Sequence, residues 1–401
     1  MTATTVTPHS HGPKDHGAPA AGGVDPVPVQ SRAERPASFE VTDFAVPTGR
    51  EEEWRFTPMS RLHGLHSGAE ATGTPALVDV RAPDGVRVET VGRDDARLGR
   101  TGTPEDRVAA QAWSSFGRAL VVTVPAGHQV SQPVQVTLTG QGGLEYGHAL
   151  FAVEAGASAT VVVDFRGSAT FADNVELDLA DGSALTLVSV QDWDGGAVHI
   201  SAHHARLGRD ARLKHVVVTL GGDVVRFTPS ARFTAPGGEV EMLGLYFADA
   251  GQHQEQRLFV DHAVPHCTST VVYKGALQGE GAHTVWVGDV LIRAEAEGTQ
   301  TYEINRNLVL TAGARADSVP NLEIETGEIR GAGHASATGR FDDEQLFYLQ
   351  ARGIPQAEAR RLVVRGFFHE LLQQIGLPDV AERLSSSIEA RLEHGAAQGA
   401  R

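Results

Sequence analysis

Apolar and polar positions alternate over most of this chain, and then the alternation stops. From about residue 120 to 340, short runs of Val, Leu, Thr and Phe are separated by turns centred on Gly or Asp-Gly. That period of two is the signature of strands. Turn-then-strand units recur at VPAGHQVSQPVQVTL, EAGASATVVVDF, ADGSALTLVSV, LGRDARLKHVVV, PGGEVEMLGLYF, QGEGAHTVWVGDV and TAGARADSVPNLEI. Their glycines, Gly127, Gly156, Gly182, Gly208, Gly237, Gly281 and Gly313, are 29, 26, 26, 29, 44 and 32 residues apart, a loose repeat. A unit this short cannot bury its own apolar face, whereas a stack of them can. The expected core is therefore a parallel β-helix, with a large β-sandwich as the alternative. Ala159, Ala184, Ala211 and Ala316, which follow turns, suit a crowded interior corner. The 44-residue gap contains LFVDHAVPHCTSTVVYKGAL and reads as an insertion or an extra rung.

After Gly339 the period becomes helical. Asp342 with Gln345 three residues on reads as a capping box, and Leu346, Phe347 and Leu349 give a short apolar face. Gly353 ends this first helix and Pro355 suits the start of the next. The second helix, near 356–375, places Leu362, Val363, Phe367, Leu371 and Ile375 on one face. Gly376 and Pro378 separate it from a third, near 379–393.

On the N-terminal side, residues 75–125 mix short strand-like runs with one helix near 104–116, where Pro104 suits the first turn. The run GREEEWRFTPMSRL carries Trp54 and Phe56, expected to dock an N-terminal arm on the main body, with Asp43 and Thr48 as candidate caps. The organisation expected is a disordered tail over 1–37, a mixed helical region over 38–119, the β-helix over 120–340, a helical module over 341–393 and a fraying tail over 394–401. The first tail carries His9, His11 and His16, which read as solvated rather than metal-binding.

Composition narrows the chemistry. Gly is abundant (45 residues) and aromatics are sparse (6%), which suits many tight turns better than a helical bundle. A net charge of −16 argues against a general nucleic-acid binder. No apolar run is long enough to span a membrane, and the first residues do not resemble a secretory signal, so the cytoplasm is the expected location. Cys267 is the one cysteine, so the chain cannot by itself supply the four thiolates of a common iron–sulfur cluster. There is no GxxxxGK[ST], GxSxG, HExxH or CxxC.

His334, in GAGHASATG, is surrounded by small residues that leave its imidazole room. It reads either as a metal ligand or as a histidine hydrogen-bonded at a strand end. Cys267 lies beside His266 in a strand-like run, where neighbours point to opposite faces, so a buried structural thiol competes with a ligand role. His262 and His266 are four apart, but Pro265 argues against a helix that would bring them together. His203 and His204 read as one in, one out.

The run YEINRNLVLTAGARADSVPNLEIETGEIRGAGHASATGRFDDEQLFYLQARGI closely resembles the C-terminal part of the SufB/SufD iron–sulfur cluster assembly proteins. PHCTSTVVYKGAL and GFFHELL resemble flanking family segments, and GREEEWRFTPMSRL looks like the start of the SufD branch. The resemblance covers about residues 45–393. It implies a mainly β fold: a right-handed parallel β-helix flanked by a small N-terminal α/β region and a C-terminal helical module. It implies a non-catalytic scaffold in a SufB–SufC₂–SufD complex that supports iron acquisition, with sulfur from a cysteine desulfurase system. A SufB-like chain would pair through the β-helix, and a SufC-like ABC ATPase would dock on the C-terminal helices. Candidate docking residues there are Phe347, Tyr348, Arg352, Gly353 and Phe367. The nascent cluster would be transient and shared with the partner, with no permanently bound cofactor. The family's proposed ligand falls on His334; many relatives have Cys two positions earlier, where this chain has Ala332. No ligand role transfers to Cys267. A polysaccharide lyase or hydrolase on a β-helix, and a SufB-like cluster-holding chain, are the alternatives.

Overall fold

A computed structural model describes residues 35–341 and 343–398. The chain divides into two units, residues 1–35 and 36–401, and of the first only Arg35 is among the described residues. The tail histidines and the Asp342 cap therefore lie outside the described residues. No helix in the described residues is long and apolar enough to cross a membrane.

The second unit is a parallel β-solenoid of about 8 turns, as the repeat predicted. A small N-terminal part comes first: strands β1 (Leu77–Arg81) and β2 (Arg87–Val91) and helix α1 (Arg107–Ser115). The helix begins after Pro104, because the Asp106 side chain accepts a hydrogen bond from the Ala109 amide and caps it there. Strand β3 (Ala119–Val124) leads into two long strands, β4 (Val134–Val153) and β5 (Ser158–Leu179). The solenoid then alternates between two ladders. One holds β6 (Ala184–Gln191), β8 (Arg212–Thr219), β10 (Glu239–Ala248), β12 (Thr268–Leu277), β14 (Gln300–Val309) and β16 (Gly331–Arg340). The other holds β7 (Val198–Leu207), β9 (Val224–Phe233), β11 (His253–His262), β13 (His283–Ile292) and β15 (Arg315–Ile324).

The irregular repeat now has a cause. The corner before the first ladder uses a left-handed backbone residue in turn after turn: Gly127, Gly156, Gly182, Asp210, Gly237, His266 and Gly298. His266 takes φ 60° where a glycine would be expected, which hides that turn from a search for glycines. Gly281 and Gly313 belong to the opposite corner, where the Gly281 amide bonds to the Gly313 carbonyl. The 44-residue gap is thus a step from one corner to the other, and no insertion interrupts the stack. Just inside the first corner, small residues stack from rung to rung: Ala157, Ser183, Ala211, Gly238, Cys267 and Thr299, joined by bonds such as Thr268 N–H to Gly238 O and Gln300 N–H to Cys267 O. Ala159 and Ala211 are buried as expected, while Ala184 and Ala316 are only half-buried.

The lumen is filled by side chains from the strands and from the corner after β6, including Phe165, Phe171, Trp193, Phe227, Met242 and Trp286. Tyr246 and Tyr273 solve a local crowding problem: each ring lies against a glycine of the neighbouring strand, Gly275 and Gly244 respectively, with which it is in register.

Each outer face has its own cover. On the β7–β9–β11 side, Trp54, Leu62, Leu65, Val108 and Phe116 pack on Val198, Ile200 and Val224. This is the docking expected of Trp54; Phe56 is half-buried, with the Arg55 guanidinium 4.6 Å from its ring centroid. On the other side lie helices α3 (Gln356–Ile375) and α4 (Pro378–Gln398), preceded by α2 (Asp343–Ala351). Val364, Phe368, Leu371, Leu372 and Ile375 of α3 pack on Val188, Val216, Leu243 and Leu245. The buried stripe is thus displaced from the one expected, and Leu362 is exposed. The observed positions keep the i, i+4, i+7, i+11 spacing of a straight helix, whereas the expected series Val363, Phe367, Leu371, Ile375 advances by four each time and drifts around it. Arg383 clamps Asp164 through two hydrogen bonds, and Arg391 reaches Asp192 and Asp249. Helix α4 continues to Gln398, five residues past the expected end, through Ala396 and Ala397, which favour helix.

Candidate functional site

The solenoid has an open end. The strand path terminates at β15 on one face and β16 on the other, so each has one edge without a partner strand among the described residues. Pro320 lies within β15 and removes a backbone donor there. Strand β16, GAGHASATGR, has no proline, and its small residues let another backbone approach closely.

His334 stands on β16 directly beside Glu303 of β14. Ala332, Ser336 and Thr338 stand beside Thr301, Asn305 and Asn307. Those β14 residues form its buried face and alternate with outward positions such as exposed Tyr302. Register partners in a parallel ladder project to the same side. His334 therefore stands on the lumen side of the last rung, yet it is exposed because no further rung among the described residues covers it.

Among the polar side chains on the lumen face of β14, all are tied into hydrogen bonds with one exception. Asn307 Nδ2 donates to Asn305 Oδ1 (2.8 Å), Ser318 Oγ (3.0 Å) and Thr338 Oγ1 (3.3 Å). Ser318 Oγ donates to Asn305 Oδ1 (2.6 Å), Asn305 Nδ2 to the Tyr246 hydroxyl (2.7 Å), and that hydroxyl to Asn307 Oδ1 (2.7 Å). Glu303 is the exception: it is 1% exposed, and neither carboxyl oxygen has a hydrogen-bond partner among the described residues. Burial, reinforced by the nearby charge of Asp289, pushes its pKa up to about 8, which keeps it mainly neutral at pH 7.

Glu303 was missed from sequence because strand alternation divides YEINRNL into two faces without saying which is inside. The polar face, Glu303, Asn305 and Asn307, turned out to be the inner one.

The other candidates lie apart. Cys267 is fully buried in the corner stack, its thiol weakly bonded to the Pro265 and Ala235 carbonyls (3.5 and 3.8 Å), and burial raises its pKa. That is the environment of an inert thiol rather than a nucleophile. His262 is buried and bonded to Ser269 Oγ (2.8 Å), away from the turn that holds His266. His203 points inward to His215 (2.9 Å) and His204 outward to Ser230 (3.0 Å). Among the described residues no group of three or more His, Cys, Asp or Glu side chains is placed to hold a metal ion.

Of the C-terminal candidates, Phe347 (71% exposed) and Tyr348 (55%) present a bare aromatic surface on α2, with the Arg352 guanidinium 4.4 Å over the Tyr348 ring. Gly353 follows with φ 83° and turns the chain. Phe367 instead packs against the apolar layer under α3, near the Lys274 ammonium, so it belongs with the cover of the sheet.

Residues 136–367 match the family model described as "SUF system FeS cluster assembly, SufBD core domain". An "Iron-sulfur cluster assembly SufBD family protein" of Mycobacterium tuberculosis is 60% identical over 374 residues, covering 91% of this chain and 94% of that protein. One of Mycobacterium leprae is 58% identical over 364 residues (89% and 93%). A second M. tuberculosis protein bearing the family name is 26% identical over 219 residues, 55% of this chain and 26% of that longer protein.

Proposed function

This chain belongs to the SufBD family of iron–sulfur cluster assembly proteins, and from that premise we propose that it is a SufD-type scaffold subunit rather than the cluster-holding chain. In this reading it works in the cytoplasm and pairs, through the free edge of β16, with a SufB-like chain. A SufC-like ABC ATPase docks on the exposed aromatic surface of α2. The nascent cluster is cargo: His334 contributes one imidazole, the partner contributes thiolates, and sulfur comes from a cysteine desulfurase system. The observation that carries the reading is the uncapped edge with a lumen-side imidazole on its last rung. The chain's one thiol is buried in the corner stack, which favours the scaffold over the cluster-holding role. The two M. tuberculosis relatives of unequal similarity fit a pair of unlike subunits.

The test is co-purification with SufB- and SufC-like proteins, followed by cluster reconstitution. Deleting residues 343–398 would be a poor probe, because α3 and α4 cover Val188, Val216, Leu243 and Leu245. Phe347→Glu with Tyr348→Glu instead alters exposed positions only, and should lose SufC while retaining SufB. His334→Ala should leave stability within about 0.5 kcal/mol, as for an exposed side chain, while lowering the yield of reconstituted cluster. Wild-type cluster assembly by that variant would remove the ligand assignment.

A further inference from the structure

The open end holds a second group suited to the same cargo. Glu303 and His334 are register partners on adjacent strands, whose backbones run about 4.8 Å apart, and both project to the lumen side. At that spacing a carboxylate oxygen and an imidazole nitrogen can reach one metal ion without moving the backbone.

Glu303 has no structural employment that accounts for its burial. Its neighbours on the same face, Asn305 and Asn307, are satisfied by one another, by Ser318 and by Tyr246. Its own two oxygens meet no donor among the described residues. Buried polar groups nearly always find a partner, and one left without costs stability. A purely structural role would be served as well by Gln or Leu. Space is also kept for it: a Cβ on Gly288, in the facing ladder, would lie 2.8 Å from Glu303 Oε1 and 2.4 Å from the Trp286 ring. Glycine at 288 leaves the carboxyl a berth in an otherwise packed lumen. The exposed member of the pair, His334, lies on the solvent side, so an ion arriving at the open end meets the imidazole first and the carboxyl one strand deeper.

We propose that Glu303 and His334 together form a two-residue ferrous-iron site at the open end of the solenoid, with the remaining coordination positions left to water or to a partner chain. This rests on the scaffold reading for the identity of the metal, since carboxylate and imidazole also suit other first-row divalent ions. Iron bound here would be cargo waiting for sulfur, held by one chain before the partner's ligands close around it.

The experiment is anaerobic Fe(II) titration of the full chain by chelator competition, with Co(II) as a visible-absorption probe of the ligand set. The variants are Glu303→Gln, Glu303→Asp and His334→Gln. Glu303→Gln keeps the shape and loses the ligand; it should fold with an unchanged melting temperature and bind Fe(II) at least about tenfold more weakly. His334→Gln should weaken binding similarly, the double variant should be little worse than either single one, and Glu303→Asp should restore part of the Co(II) spectrum. Wild-type binding by Glu303→Gln, or no Fe(II) uptake by the parent chain, overturns the site. Loss of binding in Glu303→Gln but not in His334→Gln also overturns it, as a carboxylate acting alone. The scaffold reading is judged separately, by co-purification and cluster yield, and survives each of these results.

Discussion

Two buried glutamates, one in the covered middle of the solenoid and one at its open end, show what the cover does. Glu255 on β11 and Glu303 on β14 are both shut off from solvent. Glu255 accepts from Thr57 Oγ1 (2.7 Å) and His253 Nε2 (3.1 Å), and from the guanidinium groups of Arg226 and Arg257 (3.4 Å each). Burial alone would raise its pKa, but the His253 hydrogen bond and the Arg226 charge outweigh burial and hold it at about 2. Glu303 has no such partners among the described residues and rises to about 8. The groups that hold Glu255 low belong to the solenoid, His253 and Arg257 on β11 and Arg226 on β9, and the N-terminal arm braces them: Thr57 binds Glu255 directly, Trp54 stacks on Arg226 at 4.0 Å, and the Glu52 and Glu53 carbonyls accept from Arg257 and Arg226. Every residue of β11 is buried and none of β16 is, although both are ten-residue strands of one solenoid. Among the described residues the middle is closed and the end is open.

The largest expected effect breaks the closed side. Glu255→Ala takes the shared carboxylate away from two buried guanidinium groups and should cost about 3–5 kcal/mol in urea unfolding. Glu303→Gln, which removes an acid with no partner, should change stability by less than about 1 kcal/mol. Equal losses from the two would erase the contrast.

Acid should strike the closed region next. His203 and His215 are buried against each other, and His262 is buried beside Ser269. Burial lowers the pKa of His215 to about 4 and of His262 to about 3, and drives His203 well down as well. The unfolded chain therefore binds protons that the folded chain refuses. The stability these groups contribute is full above about pH 6.5 and is lost as pH falls toward 4. Each of His215 and His262 should take away about 2 kcal/mol between pH 7 and pH 5. Urea melts across that interval check this, and a flat profile would mean the imidazoles are hydrated.

A glycine-to-alanine pair compares the regions residue for residue. A Cβ on Gly275 would fall 1.8 Å from the buried Tyr246 ring, so Gly275→Ala should cost about 1–3 kcal/mol. A Cβ on Gly331 in β16 would meet nothing within 4 Å, and Gly331→Ala should be neutral in the isolated chain. If Gly331→Ala weakens co-purification with a SufB-like chain while leaving the melting temperature alone, the close approach of a partner strand at β16 is sharpened to a single position.

The solenoid was legible because its period survives in turn glycines and alternating Val and Leu runs. The register of that period was not, because Asp210 and His266 take left-handed turns without being glycine and the series then slipped to the opposite corner. The candidate site was half legible. His334 stood out among small residues, whereas Glu303 looks like any strand glutamate until the fold shows that its face is the inner one. Glu255 has the same local grammar, and only the folded contacts, with His253 and Arg257 on its own strand, Arg226 on the next and Thr57 far away in the chain, separate an ionised anchor from an acid left without a partner among the described residues.

The smallest effect concerns the residue that most invited a chemical reading. Cys267 occupies a place in the corner stack filled on other rungs by Ala157, Ser183, Ala211, Gly238 and Thr299. What those residues share is small volume, not chemistry, and the position faces a corner that a longer side chain would crowd. Cys267→Ala removes one sulfur atom and two weak hydrogen bonds to carbonyls, so it should lower stability by only about 1 kcal/mol. Cluster yield from the reconstituted complex should be unchanged, and thiol alkylation of the native chain should be slow, because the thiol is buried and its pKa raised. A fall in cluster yield at wild-type stability would instead place sulfur chemistry in the closed part of the solenoid, and the division between a structural middle and a working end would have to be redrawn.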